Sequence, residues 1–262
     1  MELRLKGLTA FVTGASRGIG KAIAAGLAEE GVNVGLFGRD VERCNVVAQE
    51  LAKTYGVKTT AIQLDFVDRA AIKPAVDKAI AELGSLDILV NCAGGARHGR
   101  LSEIPDDAWE THFAVKPFGL IRITRECMPY LQQSKQARVI NISGIRGREP
   151  FGVQVMSGPI NMGTLSITKA MATEYGPFGI TVNAICPGST DTDRWRKLVS
   201  IAAKERGISL EEAEKQMLKE VPLGRVVKTE DVADIAVFLA SARASMITGT
   251  ALNIDGGRSR SI

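Results

Sequence analysis

Short apolar runs alternate with amphipathic stretches along all 262 residues of the chain. Seven of the runs are strand candidates, and most of them are rich in Val, Ile and Leu and apolar on both faces, which is typical of strands buried in a parallel sheet. The predicted strands are residues 8–13, 32–37, 59–64, 88–91, 139–142, 181–185 and 251–254.

The stretches between these strands have a helical pattern. Alternating strands and helices indicate right-handed βαβ units. We therefore predict one α/β domain over residues 1–262, with a doubly wound parallel sheet of about seven strands and helices on both faces. Asp40 is placed to cap the second helix. The predicted helices are residues 21–29, 41–53, 70–83, 107–115 and 162–175.

Residues 193–221 interrupt this alternation with a polar, helical segment. Ser209 and Glu212 have the spacing of a capping box at the start of a helix. An insertion after a late strand of an α/β protein often forms a lid over the ligand. The pattern is equally compatible with a solvated pair of surface helices, so both alternatives stay open.

Composition and charge narrow the class of protein. A formal net charge of +4 is too small to indicate nucleic-acid binding, and no apolar run is long enough to cross a bilayer. The N-terminal residues are not followed by an apolar signal segment, which favours the cytoplasm. No metal site is expected, because the cysteines lack metal-ligand spacing and are expected to be free thiols in a reducing compartment. They are Cys44, Cys92, Cys127 and Cys186.

A glycine-rich turn follows the first predicted strand. Its sequence, TGASRGIG at residues 13–20, has glycines at 14, 18 and 20 and leads directly into a helix. Glycines allow the backbone to turn sharply and to approach a pyrophosphate, while the helix N-terminus offers free N–H groups. The order of strand, turn and helix therefore predicts a dinucleotide site of the Rossmann type.

Further motifs occur in the order found in short-chain dehydrogenases/reductases. Residues 91–94 (NCAG) are similar to the NNAG strand end of that family, and Pro187, Gly188 and Thr192 are similar to its segment that closes on the nicotinamide. Residues 247–249 (ITG) and 255–257 (DGG) resemble its C-terminal strand region. Over nearly its whole length the chain thus resembles this family, in particular its 3-oxoacyl-(acyl carrier protein) reductase-like members.

The resemblance implies a nicotinamide dinucleotide, and the end of the second strand favours NADP(H). Relatives that bind NAD place an acidic residue there, whereas this chain has Gly38 and then Arg39, with Arg17 nearby. Two guanidinium groups suit a 2′-phosphate. By resemblance, Asp65 and Phe66 flank the adenine. The expected cofactor-binding residues are Gly14, Ser16, Arg17, Gly18, Ile19, Gly20, Arg39, Asp65, Phe66, Asn91, Ala93, Gly94, Pro187, Gly188 and Thr192.

The catalytic positions of the family are all changed in this chain. Family members reduce carbonyls with a Tyr that donates a proton, a Lys four residues later, a Ser that positions the carbonyl and an Asn that supports a water relay. No tyrosine occurs between residues 130 and 175, so no shift of the alignment restores this pattern. In the order Ser, Tyr, Lys and Asn, the four positions hold Gly144, Ser157, Asn161 and Lys116.

Ser157, Asn161 and Lys116 are the candidate catalytic residues. A serine hydroxyl is a far weaker acid than a tyrosine, so Ser157 can hydrogen-bond a substrate but is a poor proton donor. Lys116 is the cation that could replace the lost groups, because burial lowers the pKa of an ammonium from about 10.4. The alternative is a structural role, with the Lys116 ammonium bound to helix-end carbonyls next to Pro117.

Basic residues gather in the loops that follow the strands. Ligands of open α/β sheets bind beyond the carboxyl ends of the strands, so these loops suggest an anionic small-molecule substrate. A carboxylate, or an acyl thioester on coenzyme A or an acidic carrier protein, would fit. Ordinary surface charge explains part of the same pattern. The residues are Arg97, His98, Arg100, Arg146, Arg148, Arg194, Arg196 and Lys197, opposed by Asp191 and Asp193.

Three functions are compatible with these features. The intact cofactor motifs favour an NADP(H)-dependent oxidoreductase that acts on a carbonyl or hydroxyl substrate through a rebuilt proton-donor site. The second is an isomerase or lyase that uses Lys116 for acid–base chemistry without a redox step. The third is a catalytically silent NADP(H)-binding protein. The resemblance also implies a homo-oligomer, a tetramer or dimer, packed through residues 162–175 and 251–254.

Overall fold

Seven parallel strands form one sheet in the structure, a computed structural model that describes residues 2–261. Every predicted strand is confirmed, and the observed ends differ from the predicted ones by two residues at most. The strands are β1 (Thr9–Thr13), β2 (Asn33–Gly38), β3 (Thr59–Gln63), β4 (Ile88–Asn91), β5 (Arg138–Ile142), β6 (Thr181–Pro187) and β7 (Ala251–Ile254).

Nine α-helices connect and flank these strands within residues 2–261. Asp40 caps the second helix as predicted, since its carboxylate accepts a hydrogen bond from the N–H of Arg43 at 3.0 Å. The five predicted helices correspond to the first four and the sixth. The helices are α1 (Gly18–Glu29), α2 (Val41–Tyr55), α3 (Ile72–Leu83), α4 (Asp106–Val115), α5 (Pro117–Leu131), α6 (Ser157–Tyr175), α7 (Asp193–Arg206), α8 (Leu210–Leu218) and α9 (Thr229–Ala240).

Two apolar layers cover the two faces of the sheet. Successive residues of a strand point to opposite faces, so Ala10 and Val12 of β1 belong to one layer and Phe11 to the other. The first layer joins the sheet to α1, α2 and α9, and the second joins it to α3, α5 and α6. The predicted fold class, a doubly wound sheet with helices on both faces, is therefore confirmed.

The order of the strands reverses beside β1. The sheet runs β3-β2-β1-β4-β5-β6-β7, so the chain moves outward on one side of β1 and then returns to its other side at β4. The carboxyl ends of β1 and β4 flank this topological switch point, which is where open α/β sheets bind their ligands.

The hydrophobic periodicity of the sequence did not predict α5 or α9, and it predicted a start of α6 that is five residues too late. Pro117 is the first residue of α5, where its missing N–H has no intrahelical partner to lose. Pro159 lies in the first turn of α6, so that helix begins at Ser157 rather than at residue 162. The first turn of α9 has the acidic residues Glu230 and Asp231, which favour a helix N-terminus. The prediction was based on apolar runs and did not consider this signal.

Residues 193–221 fold as the helix pair α7 and α8, with a small apolar core of their own. Trp195 is buried in that core, and its Nε1 donates to Oε1 of Glu214 at 2.8 Å. Ser209 caps α8 by accepting from the N–H of Glu212 at 3.1 Å, at the position predicted from the sequence. No helix within residues 2–261 is both long and apolar enough to span a membrane.

Candidate active site

The turn after β1 leads directly into α1. Gly14 and Gly18 have positive φ angles of 69° and 57°, a conformation that favours glycine. A Cβ on Gly20 would collide with the carbonyl of Gly14, so glycine is needed there for the turn to pack against the helix. Ser16 and Ile19 are half-buried in the same segment. The N-terminus of α1 has no side-chain cap, which leaves N–H groups for a ligand.

This turn is in close contact with the end of β4. The Thr13 hydroxyl accepts from the N–H groups of Cys92 and Ala93 at 2.9 and 3.0 Å. A Cβ on Gly14 would lie 3.0 Å from Cα of Ala93, so there is no space between the two segments for a larger residue. The glycine-rich turn and the NCAG motif thus form one continuous surface at the switch point.

Two guanidinium groups lie at the end of β2 and in the turn after β1. Arg39 is exposed, and no carboxylate of residues 2–261 is within ion-pair distance of it. Arg17 is also exposed, with its Nη1 3.6 Å from the carboxylate of Asp193. Asp40 is directed towards α2, where it caps the helix and lies 3.5 Å from Nε of Arg43. The carboxylate of Asp40 is therefore bound within α2, whereas Arg17 and Arg39 can receive an anion.

Asp65 and Phe66, which follow β3, have different environments. The carboxylate of Asp65 is half-exposed and accepts from the N–H of Val67 at 3.0 Å. The ring of Phe66 is buried in the core, where a Cβ on Gly119 of α5 would lie 2.8 Å from it. Because the Phe66 side chain faces α5, any contact with an adenine falls to its backbone.

The segment after β6 returns over the glycine-rich turn. Pro187 ends β6, and the N–H of Gly188 donates to the carbonyl of Ile254 at 2.9 Å. A Cβ on Gly18 would lie 3.4 Å from the methyl group of Thr192. The structure therefore brings the predicted cofactor residues after β1, β4 and β6 to one edge of the sheet.

A buried chain of amides and hydroxyls lies beneath this edge. Nδ2 of Asn91 donates to Oδ1 of Asn141 at 2.9 Å and to the hydroxyl of Thr124 at 3.2 Å. Nδ2 of Asn141 donates in turn to the hydroxyl of Thr168 at 2.9 Å. Buried polar groups require such partners, so this chain holds β4 and β5 in place against α5 and α6. The side chain of Asn91 is used here, below the surface of the site.

Lys116 joins α4 to α5, and its ammonium is directed into the site. Nζ donates to the carbonyl of Ser143 at 3.0 Å and to Oδ1 of Asn161 at 2.7 Å. Ser143 follows β5, and Asn161 lies on α6. The Lys116 ammonium is therefore not bound to the carbonyls at the helix end next to Pro117, which was the structural alternative. An ammonium has three N–H donors, which leaves one for a substrate oxygen.

Burial lowers the pKa of Lys116 to about 8, and the positive charge of Arg194 contributes in the same direction. The thiols of Cys92 and Cys186 have a smaller opposing effect. A group whose pKa is near the operating pH can both hold a proton and release it, which is the requirement for general acid–base chemistry.

Two glycines make room for Lys116 and Asn161. A Cβ on Gly94 would lie only 2.7 Å from Cβ of Lys116, and the φ angle of Gly94 is 122°. A Cβ on Gly144 would lie 3.1 Å from Nδ2 of Asn161, closer than an ordinary contact. The glycine at the family's serine position therefore depends on the asparagine at the family's lysine position, because a larger residue would press against it.

Ser157 and Asn161 are one turn apart on α6 and project from the same side of that helix. Both residues are buried. Of the three candidate catalytic residues, the structure thus brings Lys116 and Asn161 into direct contact and places Ser157 next to them along α6. The sequence did not indicate the part played by Ser143, because its contribution is a backbone carbonyl and no side-chain motif reports that.

Some of the basic residues predicted in the loops after the strands are paired within the protein. Arg196 lies 3.0 Å from Asp191 and 3.3 Å from Asp193. Arg148 donates weakly to the side chain of Asn253 on β7, at 3.5 Å. For these residues the interpretation as ordinary structural charge fits best. Arg97, Arg100 and Lys197 are exposed.

The helix pair of residues 193–221 contacts the site through its first turn. Nη2 of Arg194 donates to the carbonyl of Ala96, in the loop after β4, at 2.8 Å. The carboxylate of Asp193 lies near Arg17 on the other side of the site. The two helices therefore pack against each other and also contact the loops around the site. Their movement as a lid stays a prediction.

The four cysteines are free thiols in the structure. Burial raises the pKa of Cys44 to about 11 and that of Cys92 to about 12, so both are protonated at neutral pH and are poor nucleophiles. No three His, Cys, Asp or Glu side chains of residues 2–261 are grouped as metal ligands would be.

Comparison with known sequences gives the family. A family model described as enoyl-(acyl carrier protein) reductase matches residues 14–259. The 3-oxoacyl-(acyl-carrier-protein) reductase FabG of Aquifex aeolicus (strain VF5) is 32% identical over 257 residues, which are 98% of this chain and 99% of that protein. Fold and site define a dinucleotide-binding α/β protein. The chain belongs to the short-chain dehydrogenase/reductase family of oxidoreductases, as its motifs predict.

Two solved structures are similar over almost their full length. L-sorbose reductase from Gluconobacter frateurii, complexed with NADPH and L-sorbose, has a TM-score of 0.95 and 28% identity, and each chain is covered completely. An NADPH-bound short chain oxidoreductase from Pseudomonas aeruginosa PAO1, described as containing an atypical catalytic center, has a TM-score of 0.89 and 29% identity. The match covers 97% of this chain and 98% of that one.

Proposed function

We propose that this protein is an NADPH-dependent reductase of a carbonyl substrate in which Lys116 replaces the missing tyrosine as proton donor. The observation that carries the proposal is the position of the Lys116 ammonium, held by the Ser143 carbonyl and Asn161 Oδ1 with one N–H left over. A similar structure with bound NADPH is described as a short chain oxidoreductase with an atypical catalytic center, which supports an NADPH-dependent function for a site without the usual residues.

The residues present fit NADPH. The glycine-rich turn and the uncapped N-terminus of α1 suit the pyrophosphate. Arg17 and Arg39 suit the 2′-phosphate, because neither is held by a strong buried ion pair. Pro187, Gly188 and Thr192 would enclose the nicotinamide. Bound NADPH supplies the hydride that reduces the substrate carbon.

Lys116 would act on the substrate oxygen. As negative charge develops on that oxygen, the free N–H of Nζ hydrogen-bonds to it and then transfers its proton. The product is a neutral alcohol, and the neutral amine of Lys116 regains a proton from water. Asn161 and Ser143 fix the direction of the ammonium throughout, and the Ser157 hydroxyl helps to orient the substrate.

The substrate class proposed from the sequence is an anionic compound or an acyl thioester. A thioester is supported by the relative that is named as a 3-oxoacyl-(acyl-carrier-protein) reductase. Without a tyrosine donor, however, small ketones and acetoacetyl esters should react much more slowly than the enzyme median of about 10 per second. Turnover of these compounds at that median would show that the assignment of positions 144, 157 and 161 is wrong.

Substitution of Lys116 by methionine tests the proposal. Lys116→Met keeps the length of the side chain and removes the charge, so turnover should fall about a hundredfold or more while NADPH affinity is retained. Lys73→Met is the matched control, because Lys73 is exposed and bound to Asp77 at 2.7 Å. Full activity of the Lys116 variant would overturn the proposal.

The stoichiometry of NADPH oxidation separates the three functions considered from the sequence. One NADPH oxidised for each substrate consumed supports the reductase. Substrate conversion without NADPH oxidation would instead show an isomerase or lyase. Tight NADPH binding with no conversion across carbonyl and alcohol panels would show a catalytically silent protein.

A further inference from the structure

The loops after β4 and β5 are joined to each other beside the Lys116 site. Gly99 and Gln154 form a parallel β-bridge, and the N–H of Gly99 donates to the carbonyl of Val153 at 3.0 Å. His98 directly precedes this bridge and is half-buried. The bridge thereby places His98 beside the loop that carries Arg146.

Arg146 is held in place by neutral groups only. Its Nε donates to Oε1 of Gln154 at 3.1 Å, and its Nη1 approaches the carbonyl of Glu149 at 3.5 Å. The guanidinium lies over the ring of Phe151, 5.0 Å from the ring centre. A guanidinium has five N–H donors, so three stay unused within residues 2–261. Its orientation is thus set before any ligand arrives.

Arg194 approaches the same place from α7. Only its bond to the Ala96 carbonyl holds the guanidinium, and a Cβ on Gly95 would lie 2.9 Å from Nη1. Burial and the charges of Arg194 and Arg146 lower the pKa of His98 to about 4, so the imidazole is neutral at pH 7 and can donate one N–H. The positive charges of both arginines therefore act on His98.

No carboxylate of residues 2–261 forms an ion pair with this cluster, although Glu220 and Glu149 oppose, from a longer distance, the lowering of the Arg146 pKa by burial. None lies within 4.0 Å of Arg146 or Arg194. Glu149 is occupied, since its Oε1 accepts from the N–H groups of the C-terminal residues 260 and 261. Glu220 is paired with Arg258 at 3.0 Å. Arg146 is half-buried and Arg194 is exposed, and a partly buried cation without an anion is unfavourable unless a ligand supplies the charge.

We propose that His98, Arg146 and Arg194 form a subsite for an oxoanion of the substrate, a carboxylate or a phosphate. Guanidinium forks match the two oxygens of either group, and a neutral imidazole adds a third donor. Arg146 is three residues beyond Ser143, whose carbonyl binds Lys116, so the oxoanion lies beside the reacting carbonyl. The inference rests on the proposed function, because it defines the substrate of the same site.

The test measures binding rather than turnover. Butanoate, inorganic phosphate and the neutral butanamide are titrated calorimetrically into protein saturated with NADPH, so that Arg17 and Arg39 are already occupied. We expect an oxoanion to bind and butanamide not to bind. Arg146→Gln and Arg194→Gln should each weaken oxoanion binding about tenfold or more. Arg196→Gln is the matched control, because Arg196 is paired with Asp191.

A second measurement uses the small number of histidines. The chain has only two, His98 and His112, so the ring nitrogens can be assigned with the variant His112→Gln. The His98 signals should move more than those of His112 when the oxoanion is added, because Arg146 acts on His98 and only the charge of Arg194 reaches both rings. Tighter binding of butanoate points to a substrate carboxylate, and tighter binding of phosphate points to a phosphate on the substrate or its carrier.

The proposal is overturned if butanamide binds as tightly as butanoate, if neither oxoanion binds at millimolar concentration, or if Arg196→Gln weakens binding as much as Arg194→Gln. Failure of the proposed function is distinguishable. If NADPH itself does not bind, that function is wrong. The oxoanion titrations are then repeated on cofactor-free protein with Arg17→Gln and Arg39→Gln, in which the other basic site is removed.

Discussion

The ammonium of Lys116 and the side-chain oxygen of Asn161 are 2.7 Å apart, although 45 positions separate the two residues in the chain. Relative to the family pattern, lysine stands at the asparagine position and asparagine at the lysine position. The hydrogen bond joins the side chains at these two aligned positions directly. The cation of the site is supplied from the junction of α4 and α5, and its acceptor from α6.

Exchange of the two residues should therefore be tolerated better than either single change. Asn161→Lys places two ammonium groups in contact, and Lys116→Asn leaves the Ser143 carbonyl without its donor. The double variant restores one cation and one amide. In urea unfolding we expect the single effects to be non-additive by about 1 to 3 kcal/mol in favour of the double variant. Additive effects would show that the two positions are independent.

Activity should decrease as the pH rises through about 8. The pKa of Lys116 is lowered to about 8 by burial, so the ammonium that donates to the substrate is present below that pH and lost above it. The pH profile of kcat should show this basic limb. In Lys116→Arg the guanidinium stays protonated and cannot transfer a proton, so turnover should be low and this limb should be absent. An unchanged limb in that variant would assign it to another group.

Gly94→Ala should displace Lys116. The added methyl group would lie 2.7 Å from Cβ of Lys116, and alanine is strained at the positive φ of this position. We expect a loss of about 1 to 3 kcal/mol in unfolding free energy together with lower turnover. Gly84→Ala is the control, because Gly84 also has positive φ but has open space around it. Equal losses in both variants would mean that backbone strain alone is responsible.

NADPH should bind more tightly than NADH, because Arg39 and Arg17 can receive the 2′-phosphate. Arg39→Asp should shift the preference towards NADH by about tenfold or more, as measured by calorimetry with both cofactors. Arg43→Asp makes the same change of charge four residues later, on a side chain already next to Asp40, and should leave the ratio intact. Equal affinities of the unmodified protein for both cofactors would contradict the prediction.

Light scattering should show a homo-oligomer, a dimer or a tetramer. The sequence predicts contacts through α6 and β7, and in the structure β7 is an edge strand while Met162 of α6 is 46% exposed. Met162→Glu should weaken the assembly by placing a charge in an apolar contact. Val46→Glu, on the exposed face of α2, is the control. A monomer at all concentrations would contradict this prediction.

The sequence predicted the sheet well because most of its strands are buried on both faces and are therefore largely apolar. It predicted the start of α6 poorly because Pro159 resembles a helix breaker, although proline is harmless in a first turn. That error placed Ser157 outside the helix. The residue types of the site were readable, but the bond from Lys116 to the Ser143 carbonyl was not, since it depends on how three distant elements pack.

The close contact at Gly144 restricts the order in which this site can change. Restoring serine at 144 first would press its Cβ against Asn161, which is 3.1 Å away. Restoring lysine at 161 first would bring a second cation to Lys116. Each of these substitutions is thus expected to be unfavourable when it is made alone. The three positions constrain one another, so a change at one of them is expected to need a compensating change at another.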